Sequence, residues 1–180
     1  MTPTPVSQHD CTDPKHHVHD ADAFVGEVER LCGQRGLRLT PLRAKALRLI
    51  ADATRPIKAY DLLDRMKATH EAAAPPTVYR ALDFLLEHGF IHKLSSINAF
   101  VGCHHPGSAQ HAVPFLICDG CQTATELEDE AIVEALDARA RATGFVPQAQ
   151  TLEVHGLCAD CAGAAKTALV PGASERCLPQ

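Results

Sequence analysis

Residues 75–102 read PPTVYRALDFLLEHGFIHKLSSINAFVG, and this stretch decides the fold. Two prolines open a helix with one apolar face, and Gly89 ends it. The apolar segments Phe90–Leu94 and Asn98–Gly102 follow as two short strands on either side of a polar turn, which predicts a hairpin. A helix followed by such a hairpin is typical of a winged helix-turn-helix, in which the helix enters a DNA major groove.

Three more helices are predicted upstream of this stretch. The first starts at Asp22, where apolar residues recur at helical spacing, and ends near Gly33 or Gly36. Thr40 followed by proline is a typical start for the second, which ends before Pro56. The third covers about 59–69.

The charge distribution supports a nucleic-acid partner for this half of the chain. Residues 30–93 hold twelve Lys and Arg against six Asp and Glu, a net charge of +6. The whole chain carries −5, so the remainder carries −11. This asymmetry favours a polyanion-binding domain, although a solvated basic face would give the same count.

Downstream of residue 103 the pattern changes to that of a small α/β unit. Strands are predicted at 113–118, 123–127 and 150–154, with a helix at 128–143. So few strands bury little apolar surface alone, and we therefore expect pairing with a second copy of the chain. The predicted fold class is α+β, a winged helix-turn-helix followed by a small α/β dimerisation domain.

Two cysteine pairs carry the strongest chemical signal. Cys118 and Cys121 form one Cys-x2-Cys pair, and Cys158 and Cys161 form the other. Two such pairs can complete a closed four-sulfur site of the structural zinc type. A redox pair or two disulfides would be the alternatives, but Asp-Gly between the first two thiols favours a metal knuckle. A closed site has no open coordination position, which argues against metal-assisted hydrolysis. We expect that the protein is not an enzyme.

Several motifs together resemble the ferric uptake regulator family, and most of all its zinc uptake regulators. The resemblance covers about 22–165 and includes the paired Cys-x2-Cys. Its other motifs are Arg38-Leu-Thr-Pro-Leu-Arg43, Ala59-Tyr-Asp-Leu-Leu63, Pro75-Pro-Thr-Val-Tyr-Arg-Ala-Leu-Asp-Phe-Leu85 and Gly89-Phe-Ile-His-Lys93.

The resemblance implies a homodimeric repressor of zinc-uptake genes that is activated by metal and binds a palindromic double-stranded DNA operator. It implies two Zn²⁺ ions per chain, one structural and one regulatory. The regulatory ligands it suggests are His92, Cys103, His111 and Glu126. By spacing alone these four residues are only a weak indication of a site, and His104 or His105 could replace one of them.

The resemblance also points to residues that contact DNA. Arg80 could donate to guanine O6 and N7. The other candidates are Tyr60, Thr77, Tyr79 and Arg43, of which Tyr79 could instead pack under the helix and Arg43 could contact phosphate.

An iron- or peroxide-sensing regulator of the same family is the nearest alternative function, and a zinc-buffering protein is a more distant one. The cysteine thiolate at position 103 suits zinc better than Fe(II). The expected organisation is a His-containing tail at 1–21, the DNA-binding domain at 22–102, a hinge at 103–111, the dimerisation domain at 112–165 and a tail at 166–180. We expect a cytoplasmic protein without membrane contact, because no apolar run approaches about 20 residues and the first ten lack signal-peptide character.

Overall fold

The computed structural model describes residues 20–68, 74–106, 113–127, 129–147 and 151–168. It has the predicted α+β class. The elements in chain order are α1 Ala21–Gln34, α2 Pro41–Ala51, β1 Ile57–Lys58, α3 Ala59–Lys67, α4 Pro75–Glu87, β2 Ile91–Leu94, β3 Ala99–Gly102, β4 Pro114–Cys118, β5 Ala124–Glu126, α5 Glu130–Ala142, β6 Leu152–Gly156 and α6 Ala159–Ala168.

The first four helices form the predicted helical core. The hydroxyl of Thr40 accepts a hydrogen bond from the Arg43 N–H and caps α2, whose first residue is proline. Gly89 ends α4 with a φ of +69°, a conformation that glycine adopts without steric cost. The helix α4 packs against α2 and α3, and Phe90 below it is fully buried.

The hairpin is present and belongs to a sheet of three strands. The strand β3 lies between β2 and β1, and all pairings are antiparallel. The strand β1 was not predicted, because its two residues between helices α2 and α3 have no periodicity.

The second sheet has the order β5-β4-β6. The strand β5 returns antiparallel to β4, whereas β6 pairs with β4 in parallel after the crossover through α5. The helix α6 was not predicted, and it runs to Ala168, three residues past the expected end of the domain at 165.

The two sheets meet through an apolar cluster. The β2–β3 hairpin contributes Leu94 and Val101, and the second sheet contributes Phe115, Ile117 and Ala124. In a strand alternate residues face opposite sides, so Phe115 and Ile117 define the face of β4 that contacts the hairpin. Within the described ranges, none of the helices is long and apolar enough to span a bilayer.

Candidate metal centres and nucleic-acid interface

The four cysteines of the two pairs converge on one point. Cys118 ends β4, Cys121 follows in a turn, Cys158 follows β6 and Cys161 lies in the first turn of α6. Their sulfur atoms all lie within 4.8 Å of one another, and those of Cys121 and Cys158 are 3.8 Å apart. Tetrahedral zinc with Zn–S bonds of about 2.3 Å requires sulfur atoms about 3.8 Å apart. The donor set and its spacing therefore fit zinc.

The local backbone prepares these sulfur atoms to bind a cation. The Cys158 N–H donates to Cys118 Sγ at 3.2 Å, and this hydrogen bond is the main reason why the pKa of Cys118 falls to about 6. The Thr123 hydroxyl, 3.1 Å from Cys121 Sγ, lowers the pKa of that thiol. The surrounding thiols, first that of Cys158, raise the pKa of Cys161 to about 12. A cation among the four sulfur atoms would favour all four thiolates at once.

Gly120 is required by the packing of this group. A Cβ atom at position 120 would lie 2.9 Å from Cys161 Sγ and 3.0 Å from Cys161 Cβ. The Asp-Gly dipeptide between the first two thiols therefore lets the turn approach α6 closely enough for both pairs to meet. The adjoining Asp119 N–H donates to the Gly156 carbonyl at 2.8 Å and holds the turn against β6.

A second group of metal-ligating side chains lies between the two domains. The ligand atoms of His92, Cys103 and Glu126 all lie within 4.8 Å of one another. His92 is on β2 and Cys103 directly follows β3, whereas Glu126 ends β5 in the second sheet. The thiol of Cys103 is buried, and the imidazole of His92 lies against the Phe115 ring with centroids 5.2 Å apart.

The structure thus brings together three of the four residues suggested for a regulatory site. His111 lies outside the described residues. His104 is next to the group, where its backbone N–H donates to Glu126 Oε2 at 3.3 Å.

The start of α4 presents most of the DNA-contact candidates. Thr77 is half-buried, and Tyr79 and Arg80 are exposed. Tyr79 is 44% exposed, which argues against packing under the helix. Tyr60, at the start of α3, is 73% exposed.

Arg43 has contacts inside the domain. Its guanidinium lies over the Phe84 ring at 3.6 Å from the centroid and donates to the Arg38 carbonyl at 2.8 Å. These contacts favour a role in packing α2 against α4. Sequence reasoning missed this role because Phe84 is distant along the chain.

Comparison with known proteins matches this chain to one family and to zinc uptake regulators. A family model described as the ferric uptake regulator family matches residues 34–155. The zinc uptake regulation protein of Escherichia coli (strain K12) is 43% identical over 138 residues, which are 77% of this chain and 81% of that protein.

Two solved structures are similar over both domains. The crystal structure of holo XcZur is 68% identical, with a TM-score of 0.74 over 79% of this chain and 99% of that one. A zinc uptake regulator complexed with zinc and DNA is 40% identical, with a TM-score of 0.77 over 81% of this chain and 97% of that one.

A winged helix joined to a small domain with a four-cysteine site defines a class of metal-binding, DNA-binding proteins. The chain belongs to the ferric uptake regulator family.

Proposed function

We propose that this chain is a zinc-responsive transcriptional regulator that binds palindromic operators as a zinc-loaded homodimer and represses zinc-uptake genes. The observation that carries the proposal is the group of His92, Cys103 and Glu126, in which both domains supply ligands within 4.8 Å. The similarity to zinc uptake regulators, one of them solved with zinc and DNA, supports the same conclusion.

We assign two zinc ions to each chain. The four-cysteine group would hold the structural ion, since closed four-sulfur sites are architectural. His92, Cys103, Glu126 and His111 would hold the regulatory ion. The thiolate among them favours zinc over Fe(II), which distinguishes this proposal from an iron- or peroxide-sensing regulator.

The placement of the regulatory ligands gives the mechanism. A bound ion would be coordinated by ligands from both domains. His92 and Cys103 are fixed by the hairpin, and Glu126 is fixed by the second sheet, so occupancy would couple the orientation of α4 to the dimerisation domain. Because the arrangement that binds DNA is also the one that binds the ion, operator and zinc must strengthen each other's binding.

On the DNA side, Arg80 is the main candidate for reading a base, since its side chain is exposed on the first turns of α4. Thr77 and Tyr79 on the same helix and Tyr60 on α3 would contact phosphate or base edges. Arg43 remains a weaker candidate because its guanidinium already binds Arg38 and Phe84.

The second domain offers a surface for the homodimer. Leu116 on β4 and Val154 on β6 are register partners on the sheet face opposite Phe115, and both are exposed. None of the residues of α5 is buried, and its apolar Ile132 and Leu136 are exposed as well. Exposed apolar side chains grouped on one small domain are typical of an interface, and a second copy would cover them.

The substitution Cys103→Ser tests the proposal. Serine keeps the size of the side chain but replaces a zinc-preferring thiolate with a weak ligand. Even outer-shell changes weaken metal sites about 10- to 100-fold, so we expect the free zinc needed for half-maximal operator binding to rise at least about a hundredfold. The measurement is fluorescence anisotropy of a zinc-uptake promoter fragment across buffered free zinc.

Cys32→Ala is the matched control, because Cys32 is a buried thiol in α1 outside both metal groups. It should leave the zinc midpoint unchanged. If Cys103→Ser unfolds the protein or removes the four-cysteine ion, the division into a structural and a regulatory site is wrong. If Fe(II) restores operator binding at lower free concentrations than zinc does, the iron-sensing alternative is correct.

A further inference from the structure

The turn of the β2–β3 hairpin is bound by a single carboxylate of the other domain. Glu153 on β6 accepts hydrogen bonds from the backbone N–H of Ser95 at 2.7 Å and of Ser96 at 3.0 Å. Its Oε2 also accepts from the Ser96 hydroxyl. Two neighbouring N–H groups of one turn and a hydroxyl thus converge on one side chain that lies 57 to 58 residues further along the chain.

The carboxylate is suited to this position as an anion. Partial burial opposes its charge, but the hydrogen bonds from Ser96 and Ser95 outweigh burial and lower the pKa of Glu153 below its ordinary value. Hydrogen bonds to a charged acceptor are about twice as strong as bonds between neutral groups.

A second residue of β6 extends the contact to the four-cysteine turn. His155 lies two residues after Glu153, on the same face of the strand. Its Nε2 is 2.8 Å from Ser96 Oγ, and its Nδ1 is 2.9 Å from Asp119 Oδ1. Asp119 lies between Cys118 and Cys121, so the turn of the hairpin is connected through β6 to the elements that hold the four cysteines.

These contacts lie at the opposite end of β2 from the candidate regulatory group. His92 is the second residue of β2, and Ser95 directly follows its last residue, three positions on. At about 3.3 Å per residue the two are roughly 10 Å apart along the strand. The apolar cluster around Leu94 and Val101 lies in the same region of the hairpin. One attachment point leaves a hairpin free to pivot, and a second one at the other end prevents this.

We propose that Glu153 is a positioning residue, a metal-independent clasp that holds the hairpin turn on the dimerisation domain and thereby sets the free zinc concentration at which the protein binds DNA. This inference rests on the proposed function. The clasp and the regulatory ion favour the same domain arrangement, so their free energies add in one equilibrium. Without the clasp, only the apolar cluster and the ion hold the domains together, and more zinc is needed to close them. At saturating zinc the domains are closed in either case.

The test compares Glu153→Gln with Ser96→Ala. Glutamine keeps the shape of the side chain but loses the charge and one of its two acceptor oxygens. Removing such a charge-assisted contact should raise the free-zinc midpoint of operator binding about tenfold. Ser96→Ala removes the hydroxyl alone and should raise it about threefold. The operator affinity at saturating zinc should change less than about twofold in both variants, whereas damage to the DNA-binding surface would lower it.

Glu134→Gln is the matched control. It makes the same chemical change on α5. Glu134 lies two residues after Ile132 and therefore on another face of that helix, so the substitution should leave the free-zinc midpoint unchanged. A midpoint within about twofold of the unchanged protein for Glu153→Gln would overturn the clasp. If Glu153→Gln does not fold, Ser96→Ala becomes the deciding variant. A free-zinc midpoint of Ser96→Ala equal to that of Glu134→Gln would then refute the proposal.

A second measurement separates the clasp from the proposed function. Small-angle X-ray scattering of protein that retains only the four-cysteine ion should show a larger radius of gyration for Glu153→Gln than for the unchanged chain. Equal radii would refute the clasp even if the operator responds to zinc. Operator binding by the unchanged protein that ignores zinc would instead refute the proposed function.

Discussion

Gly120→Ala should disrupt the four-cysteine group although it replaces none of the four ligands. The new Cβ would lie 2.9 Å from Cys161 Sγ, whereas ordinary van der Waals contact begins at 3.4 Å, so the thiol or the turn must move by about 0.5 Å. Zinc–ligand distances tolerate about 0.2 Å. One of the four ligands should therefore be strained or lost.

The expected loss of zinc affinity follows from the free energy that one of the four ligands contributes. Structural zinc sites contribute about 10 to 16 kcal/mol, or roughly 3 kcal/mol per ligand, which corresponds to an affinity loss of at least about a hundredfold. The assay is competition with a chromophoric chelator that reports the zinc retained per chain, combined with sedimentation velocity for the dimer.

Gly26→Ala is the control for this substitution. Gly26 lies inside α1, where a Cβ would meet nothing within 4 Å, and alanine there should raise stability by up to about 1 kcal/mol while zinc retention stays the same. If Gly120→Ala holds its zinc within threefold of the unchanged protein, the close approach of the turn to Cys161 is not what assembles the site.

Two further substitutions separate DNA reading from assembly. Arg80→Ala should cost about 1 to 3 kcal/mol of operator binding at unchanged zinc content, measured by anisotropy with matched and mismatched operators; an unaltered sequence preference would refute base reading. Val154→Asp places an unpaired carboxylate beside Leu116 on the exposed apolar face and should weaken the homodimer at least about a hundredfold while circular dichroism stays the same. A dimer of unchanged affinity by analytical ultracentrifugation would place the interface elsewhere.

Helices whose ends are marked by neighbouring residues are predicted well from the sequence. Thr40 with its following proline marks the start of α2, and Gly89 marks the end of α4, because capping is decided by neighbouring residues. The convergence of the two cysteine pairs was also predictable, since four thiolates at such spacings have few other stable arrangements.

Features that depend on distant contacts were not predictable. The strand β1 exists because β3 pairs with it, and its two residues have no pattern of their own. The packing of Arg43 on Phe84 and the binding of Ser95 and Ser96 by Glu153 join residues that are 41 to 58 positions apart. Sequence periodicity has no information about such pairs, and only the folded chain reveals them.

Zinc stoichiometry per chain, determined together with operator binding across buffered free zinc, is the most direct test of a regulatory ion held between the two domains. We expect two ions per chain, with the weaker one controlling DNA binding and the tighter one retained throughout. A single tightly held ion, with operator binding that does not change with free zinc, would contradict a regulatory site formed by His92, Cys103 and Glu126.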